Sequence, residues 1–231
     1  MNTTQLDNRS AMKENESNRL NRRSIIKGLG ASAGLGLFAS GLGSAKSNQD
    51  SQISPDMVKK NNPDSVDKFV LRSLQQGETD DVVKAYRELD KEQLSLVRKA
   101  YERVTTTELS PEDDVSPDAV PVSTRVSYTH KIKETNTTIW KASMTLSYRY
   151  SGNNVFGESL SSNGKAPNSL WHYRGLDDST LSNSGSKIVG TRILRFVHSV
   201  AGRKISTNQA VLQIIARSRG RTKKFANRRV L

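Results

Sequence analysis

Trp140-Lys141-Ala142-Ser143-Met144-Thr145-Leu146-Ser147-Tyr148-Arg149-Tyr150 is the stretch whose reading decides the fold. Its even positions carry apolar or aromatic side chains, and its odd positions carry Lys, Ser, Thr or Arg. A period of two puts one face on a core and the other in water, as in an antiparallel sheet covered on one side. Ser151-Gly152-Asn153-Asn154 follows as a turn. Upstream, Val122, Val126, Tyr128 and Ile132 share one face, opposite Ser123, Arg125, Ser127, Lys131 and Lys133. Downstream, strands are expected at Val155–Leu160, Leu170–Tyr173, Ile188–Val200 and Ile205–Ser218, with Gly175–Ser186 as a loop. Ile188–Val200 is apolar on both parities, which suits a central strand. Its Ile193, Leu194, Val197 and Val200 also fit a helical period. Six or so strands without crossover helices predict an all-β sandwich over residues 122–216, antiparallel and of Ig-like or Greek-key type. The same pattern disfavours a nucleotide-binding α/β fold.

Before this domain the period changes. Residues 46–104 read as a small helical segment of three helices. Asn62 caps the first, with Pro63 at its first position and Gly77 as a left-handed residue past its end. Thr79 caps the second, carrying Val82, Val83, Tyr86 and Leu89, and Asp90 caps the third, carrying Leu94, Val97, Tyr101 and Val104. Lys84-Ala85-Tyr86 recurs as Lys99-Ala100-Tyr101, the mark of two similar amphipathic helices. Residues 105–121, TTTELSPEDDVSPDAVP, read as an acidic, proline-punctuated linker.

Charge follows the same boundary. The chain of 231 residues carries +13, from 36 Lys+Arg against 23 Asp+Glu. Residues 46–120 hold 11 basic and 16 acidic side chains, and residues 121–231 hold 19 and 4. The cationic character therefore belongs to the β-domain and gathers at a basic tail, 217–231. That tail contains Arg217, Arg219, Arg221, Lys223, Lys224, Arg228 and Arg229 around Phe225. Such a tail binds polyanions or is simply solvated. Hydrophobic content of 34% is low for a chain packed throughout, in keeping with polar segments around one core. Cysteine is absent, which excludes disulfides, thiolate metal sites and a cysteine nucleophile.

Residues 1–21 are polar and aperiodic, as in a disordered extension. Arg22-Arg23-Ser24-Ile25-Ile26-Lys27 then precedes an uncharged Gly/Ala/Ser-rich run from Gly28 that ends in Gly43-Ser44-Ala45. The paired Arg22 and Arg23, the apolar Ile25 and Ile26 and the basic Lys27 resemble a twin-arginine (Tat) signal peptide over residues 22–45, with cleavage after Ala45. The resemblance implies export of an already folded chain by the Tat translocase. The product is then secreted or associated with the cell envelope, and residues 28–45 serve as a membrane anchor if left uncleaved. A cysteine-free mature chain agrees with folded export.

Chemistry is sparse. The β-domain offers His130, His172 and His198, and the carboxylates Glu134, Glu158, Asp177 and Asp178. The β-domain contains no Gly-x-Ser-x-Gly elbow, paired-carboxylate spacing or cofactor fingerprint, so no catalytic residue, metal ligand or cofactor is expected. Trp171 and Tyr173 are the best candidate ligand-binding rings, against a reading as sandwich core. These features predict an exported, non-enzymatic protein that binds anionic polymer or membrane surface through its basic face and tail, with nucleic acid less favoured. Two alternatives remain. One is a cationic antimicrobial, bacteriocin-like in layout, whose helical segment is a removable pro-segment. The other is a secreted hydrolase in which the histidines and Asp177 converge.

Overall fold

A computed structural model of the chain describes residues 52–110 and 122–231. The twin-arginine motif, Ala45 and residues 111–121 of the expected linker lie outside the described residues. A 3-10 turn at Pro55–Met57 precedes three helices, α1 (Pro63–Gln76), α2 (Asp80–Glu88) and α3 (Lys91–Val104). Asn62 Oδ1 accepts the Ser65 N–H at 3.1 Å and Pro63 fills the first helical position, so α1 starts where the sequence places it. Gly77 ends it at φ 70°, ψ −153°, a glycine conformation other than the left-handed helical one expected. A Cβ on Gly77 would lie 2.5 Å from Ser169 Oγ, so the close approach also demands glycine. Thr79 precedes α2 but makes no side-chain capping bond. At α3, Asp90 Oδ1 accepts from Gln93 N at 2.8 Å while Gln93 Oε1 accepts from Asp90 N at 3.0 Å, a reciprocal cap.

Eight strands follow: β1 (Thr105–Ser110), β2 (Val122–Ile132), β3 (Thr138–Ser151), β4 (Asn154–Lys165), β5 (Trp171–Asn183), β6 (Lys187–Val200), β7 (Arg203–Arg217) and β8 (Thr222–Val230). They make two antiparallel four-stranded sheets, sheet A in the order β1-β2-β3-β4 and sheet B in the order β5-β6-β7-β8. The sandwich is as expected, but each sheet is a sequential meander rather than a Greek key. Ile188–Val200 is strand, not helix.

Three segments depart from the sequence reading. Thr105–Ser110, expected as linker, is β1; it leaves α3 without a break and pairs with β2 from Thr105↔Ile132 to Ser110↔Ser127. Gly175–Asn183, expected as loop, is the second half of β5. Register shifts between Tyr173 and Leu176 and between Leu176 and Asp178 erase the alternation that would have revealed it. The basic tail is largely β8, hydrogen-bonded along β7 from Ala216↔Thr222 to Asn208↔Val230, so the domain does not stop at residue 216.

The inner faces of the two sheets meet in one core. Trp140 of sheet A stacks on Phe196 of sheet B with centroids 4.5 Å apart. Burying side chains of this size stabilises the fold by about 1.5–3 kcal/mol each. Two glycines let the sheets close. A Cβ on Gly190 would come within 3.0 Å of Leu160, and one on Gly164 within 2.5 Å of the Tyr173 ring.

The helices cover one end of the sandwich and borrow their C-terminal partners from it. The Leu74 carbonyl of α1 accepts from Asn168 Nδ2 at 2.7 Å. Arg203 Nη1, at the start of β7, donates to the carbonyls of Tyr86 at 2.8 Å and Leu89 at 3.0 Å, at the end of α2. Lys133 Nζ donates to the Arg103 carbonyl of α3 at 2.6 Å. Carbonyls in the last turn of a helix lack intrahelical donors, and here the β-domain supplies one to each helix. No described helix is long and apolar enough to cross a membrane.

Candidate functional site

Sheet B gathers the cations. From Ser179 to Leu231 the sequence holds 12 Lys and Arg and no Asp or Glu. The register sorts them by face. Ile188, Leu194, Phe196, Ala210, Leu212 and Ile214 point into the core, so the intervening residues point out. On the outer face Val189 pairs with Ile215, Ile193 with Val211, and Gln213 with Phe225. Lys223 stands opposite Ile215 and Arg229 opposite Gln209. The result is a half-buried floor of β-branched side chains with Phe225, 48% exposed, and a cationic margin of Arg195, Lys223 and Arg229. Arg217 ends β7, and Arg219 and Arg221 occupy the β7–β8 turn, where Arg219 has a φ of 64°.

The other two basic residues of β8, Lys224 and Arg228, take inward-facing positions. Arg228 is held by Glu102 of α3. Charges turned inward on an edge strand deter pairing with another chain, which suits the outermost strand of an open sheet.

A second cationic feature lies at the opposite edge of sheet B. An open groove of about 730 Å³ is bordered by Lys141, Lys165, His172, Tyr173 and Arg174, and among the described residues no carboxylate lines it. Tyr173 is fixed in place because its ring lies flat against Gly164 and 5.4 Å from Phe196. Burial raises its hydroxyl pKa, so the phenol enters the groove as a neutral donor. Trp171 is a core residue rather than an exposed binding ring. It is 3% exposed, stacked on His198 at 5.2 Å and edge-on to His130 at 6.1 Å. Only part of its ring reaches the groove wall.

Two of the three histidines, His130 and His198, are interior groups. His198 Nε2 lies 3.0 Å from the Tyr101 hydroxyl. His130 stacks on Trp140 at 5.0 Å. Burial first, then the positive charge of Arg228, lowers His130 to about 3, and burial lowers His198 to about 3 as well, so both rings are neutral at physiological pH. The repeated Lys-Ala-Tyr triplet acquires a role here. Tyr86 and Tyr101 both face His198, with centroids at 6.2 and 4.5 Å, and burial pushes the Tyr86 hydroxyl up to about 12 and that of Tyr101 well above its usual value. Asp177 is engaged elsewhere, accepting from Arg195 Nε at 2.8 Å and Gln209 Nε2 at 2.7 Å. The hydrolase arrangement thus lacks the contact it needs between Asp177 and an imidazole. Among the described residues no three His, Cys, Asp or Glu are grouped to hold a metal ion.

The sequence reading missed the outer face of sheet B. The signal was present, because strand Ile188–Val200 is apolar on both parities and its outward set needs a partner as much as its inward set. Comparison with protein-family models, curated proteins and solved structures finds no match to this chain.

Proposed function

We propose that this chain is an exported, non-enzymatic β-sandwich protein that attaches to anionic cell-surface or extracellular material through the outer face of sheet B and its β8 edge. One observation carries the reading: strands β6 to β8 bring 12 Lys and Arg onto one sheet with no Asp or Glu among them. Like charges at the outward positions repel one another, so their use lies in an anionic partner. The β-branched floor adds apolar contact area suited to a lipid or polymer surface. Export rests on the twin-arginine motif at Arg22 and Arg23.

The experiment measures binding of the protein to phosphatidylglycerol vesicles and to a poly(glycerol phosphate) wall polymer, at low and at physiological salt. Removing residues 217–231 is a poor test, because it strips β8 from β7. The outward pair is better: Lys223→Glu with Arg229→Glu should abolish binding and leave the fold intact. Failure to bind either material at low salt, or undiminished binding by the double variant, sinks the proposal.

A removable helical pro-segment fits this geometry poorly. Loss of the residues before 121 takes Tyr101 from His198 and β1 from β2, opening the core at both places. N-terminal sequencing of secreted protein decides between a start near Lys46 and one near Pro121.

A further inference from the structure

The open groove of about 730 Å³ lies where the β4 edge of sheet A meets the β5 edge of sheet B. Its volume is that of clefts that take small ligands, about 300–1,000 Å³. The two lips come from different sheets. Lys165, at the end of β4, stands on one, and Arg174 of β5, beside His172, stands on the other. Lys165 and Arg174 are exposed, and among the described residues neither side chain has an ion-pair or hydrogen-bond partner. Lys141 borders the same lip as Lys165 but has a contact of its own. Between the lips the lining is uncharged, with Thr138, Ala166, Pro167 and Tyr173. The Tyr173 ring fits there only because position 164 lacks a Cβ, which would come within 2.5 Å of it. The β4–β5 connection that joins the lips is pinned by Asn168. Its backbone N–H donates to the Ile139 carbonyl at 3.4 Å, its Nδ2 to the Leu74 carbonyl at 2.7 Å, and its Oδ1 accepts from Leu170 N at 3.1 Å. Ala166 and Pro167 are therefore held in place before a ligand arrives, which lowers the entropic cost of binding.

We infer that this groove binds an acidic saccharide chain, with the carboxylate of a uronic acid unit between Arg174 and Lys165 and its sugar face against Tyr173 and Pro167. A guanidinium matches a carboxylate through two parallel hydrogen bonds, which favours a carboxylated sugar on the Arg174 lip. A sugar presents apolar C–H faces beside hydroxyls, and the lining answers both: a ring and a proline for the faces, and the Thr138 and Tyr173 hydroxyls and the His172 ring for the hydroxyls. A lone inorganic anion leaves the apolar lining unused, and a lipid surface meets only the lips. The residues differ from those of the outer face of sheet B, so either reading stands without the other.

The test titrates tetragalacturonate into the full chain by calorimetry at physiological salt, with its methyl ester, tetraglutamate and glycerol phosphate as comparison ligands. Tetragalacturonate should bind saturably, and about ten-fold more weakly to Arg174→Gln, the worth of one charge-assisted hydrogen bond. That side chain is exposed, so its replacement leaves the core untouched. Tyr173→Phe, which keeps the ring and loses the hydroxyl, should show a smaller loss. The Lys223→Glu/Arg229→Glu variant should bind tetragalacturonate as the parent does. The methyl ester keeps the sugar without the charge, and tetraglutamate keeps the charge without the sugar; both should bind far more weakly. No saturable binding at millimolar ligand overturns the inference. Equal binding of the methyl ester does so by removing the charge from the site, and equal binding of tetraglutamate or glycerol phosphate by removing the sugar. Binding unaffected by Arg174→Gln, or lost in the β8 variant, places the saccharide elsewhere and also overturns it.

Discussion

Basic side chains occupy two regions of this molecule under opposite terms. Between the sheets, His130 and His198 are held neutral by burial, wedged among Trp140, Trp171 and Tyr101. On the outer face of sheet B, Arg195, Lys223 and Arg229 stand exposed, and among the described residues only Arg195 of the three meets a carboxylate, Asp177. The difference teaches what each region is for. The interior accepts a base only as a shaped polar ring, because an unpaired charge in low dielectric is too costly. The exterior accumulates charge that the fold does not use.

The largest effect comes from breaking the interior with acid. An unfolded histidine titrates near 6.5, whereas these two titrate near 3 in the fold. Between those values only the unfolded chain takes up the protons. Stability is therefore fully present above pH 6.5 and falls as pH drops toward 3, by about 1.4 kcal/mol per pH unit for each histidine. Urea midpoints at a series of pH values check this, and a flat profile from pH 6.5 to 4 contradicts it. Trp171→Ala comes next, removing the ring that touches both histidines. It should cost about 3–5 kcal/mol, read from the same midpoints at pH 7.

The exterior should answer in the other direction. Lys223→Glu with Arg229→Glu should change stability by no more than about 0.5 kcal/mol while removing attachment to anionic vesicles. Arg125→Glu, an exposed charge reversal on sheet A, should leave that attachment largely in place. Equal losses from both faces would dissolve the contrast and make net charge, not location, the determinant. The smallest effect belongs to the helices. Asp90→Ala should cost about 1 kcal/mol by removing the reciprocal cap with Gln93, with no effect on binding.

Much of this was legible in the residues. The alternation at Trp140–Tyr150 and the apolar run at Ile188–Val200 announced β3 and β6, and Asn62-Pro63 and Asp90 announced two helix starts. Hidden strands have physical reasons. β1 has a single apolar side chain, Leu109, among its six residues and owes its extension to pairing with β2. β5 loses its period at two register shifts. β8 places basic residues on both faces, as at Lys223 and Lys224, which reads as a solvated tail until β7 is seen beside it. Trp171 and Tyr173 read as equivalent rings, yet one is sealed in the core and the other opens on a groove. Nothing local distinguishes them, because Gly164, which seats Tyr173, belongs to another strand of the opposite sheet.

The helices that come first in the chain are finished last. Asn168 lies 94 positions after Leu74, whose carbonyl it satisfies, and Arg203 lies 117 positions after Tyr86. During synthesis α1 and α2 emerge long before these partners exist, and nine to fourteen residues of isolated helix are marginal in water. The last-turn carbonyls of α1 and α2 therefore wait for their donors until Asn168 and Arg203 have been made.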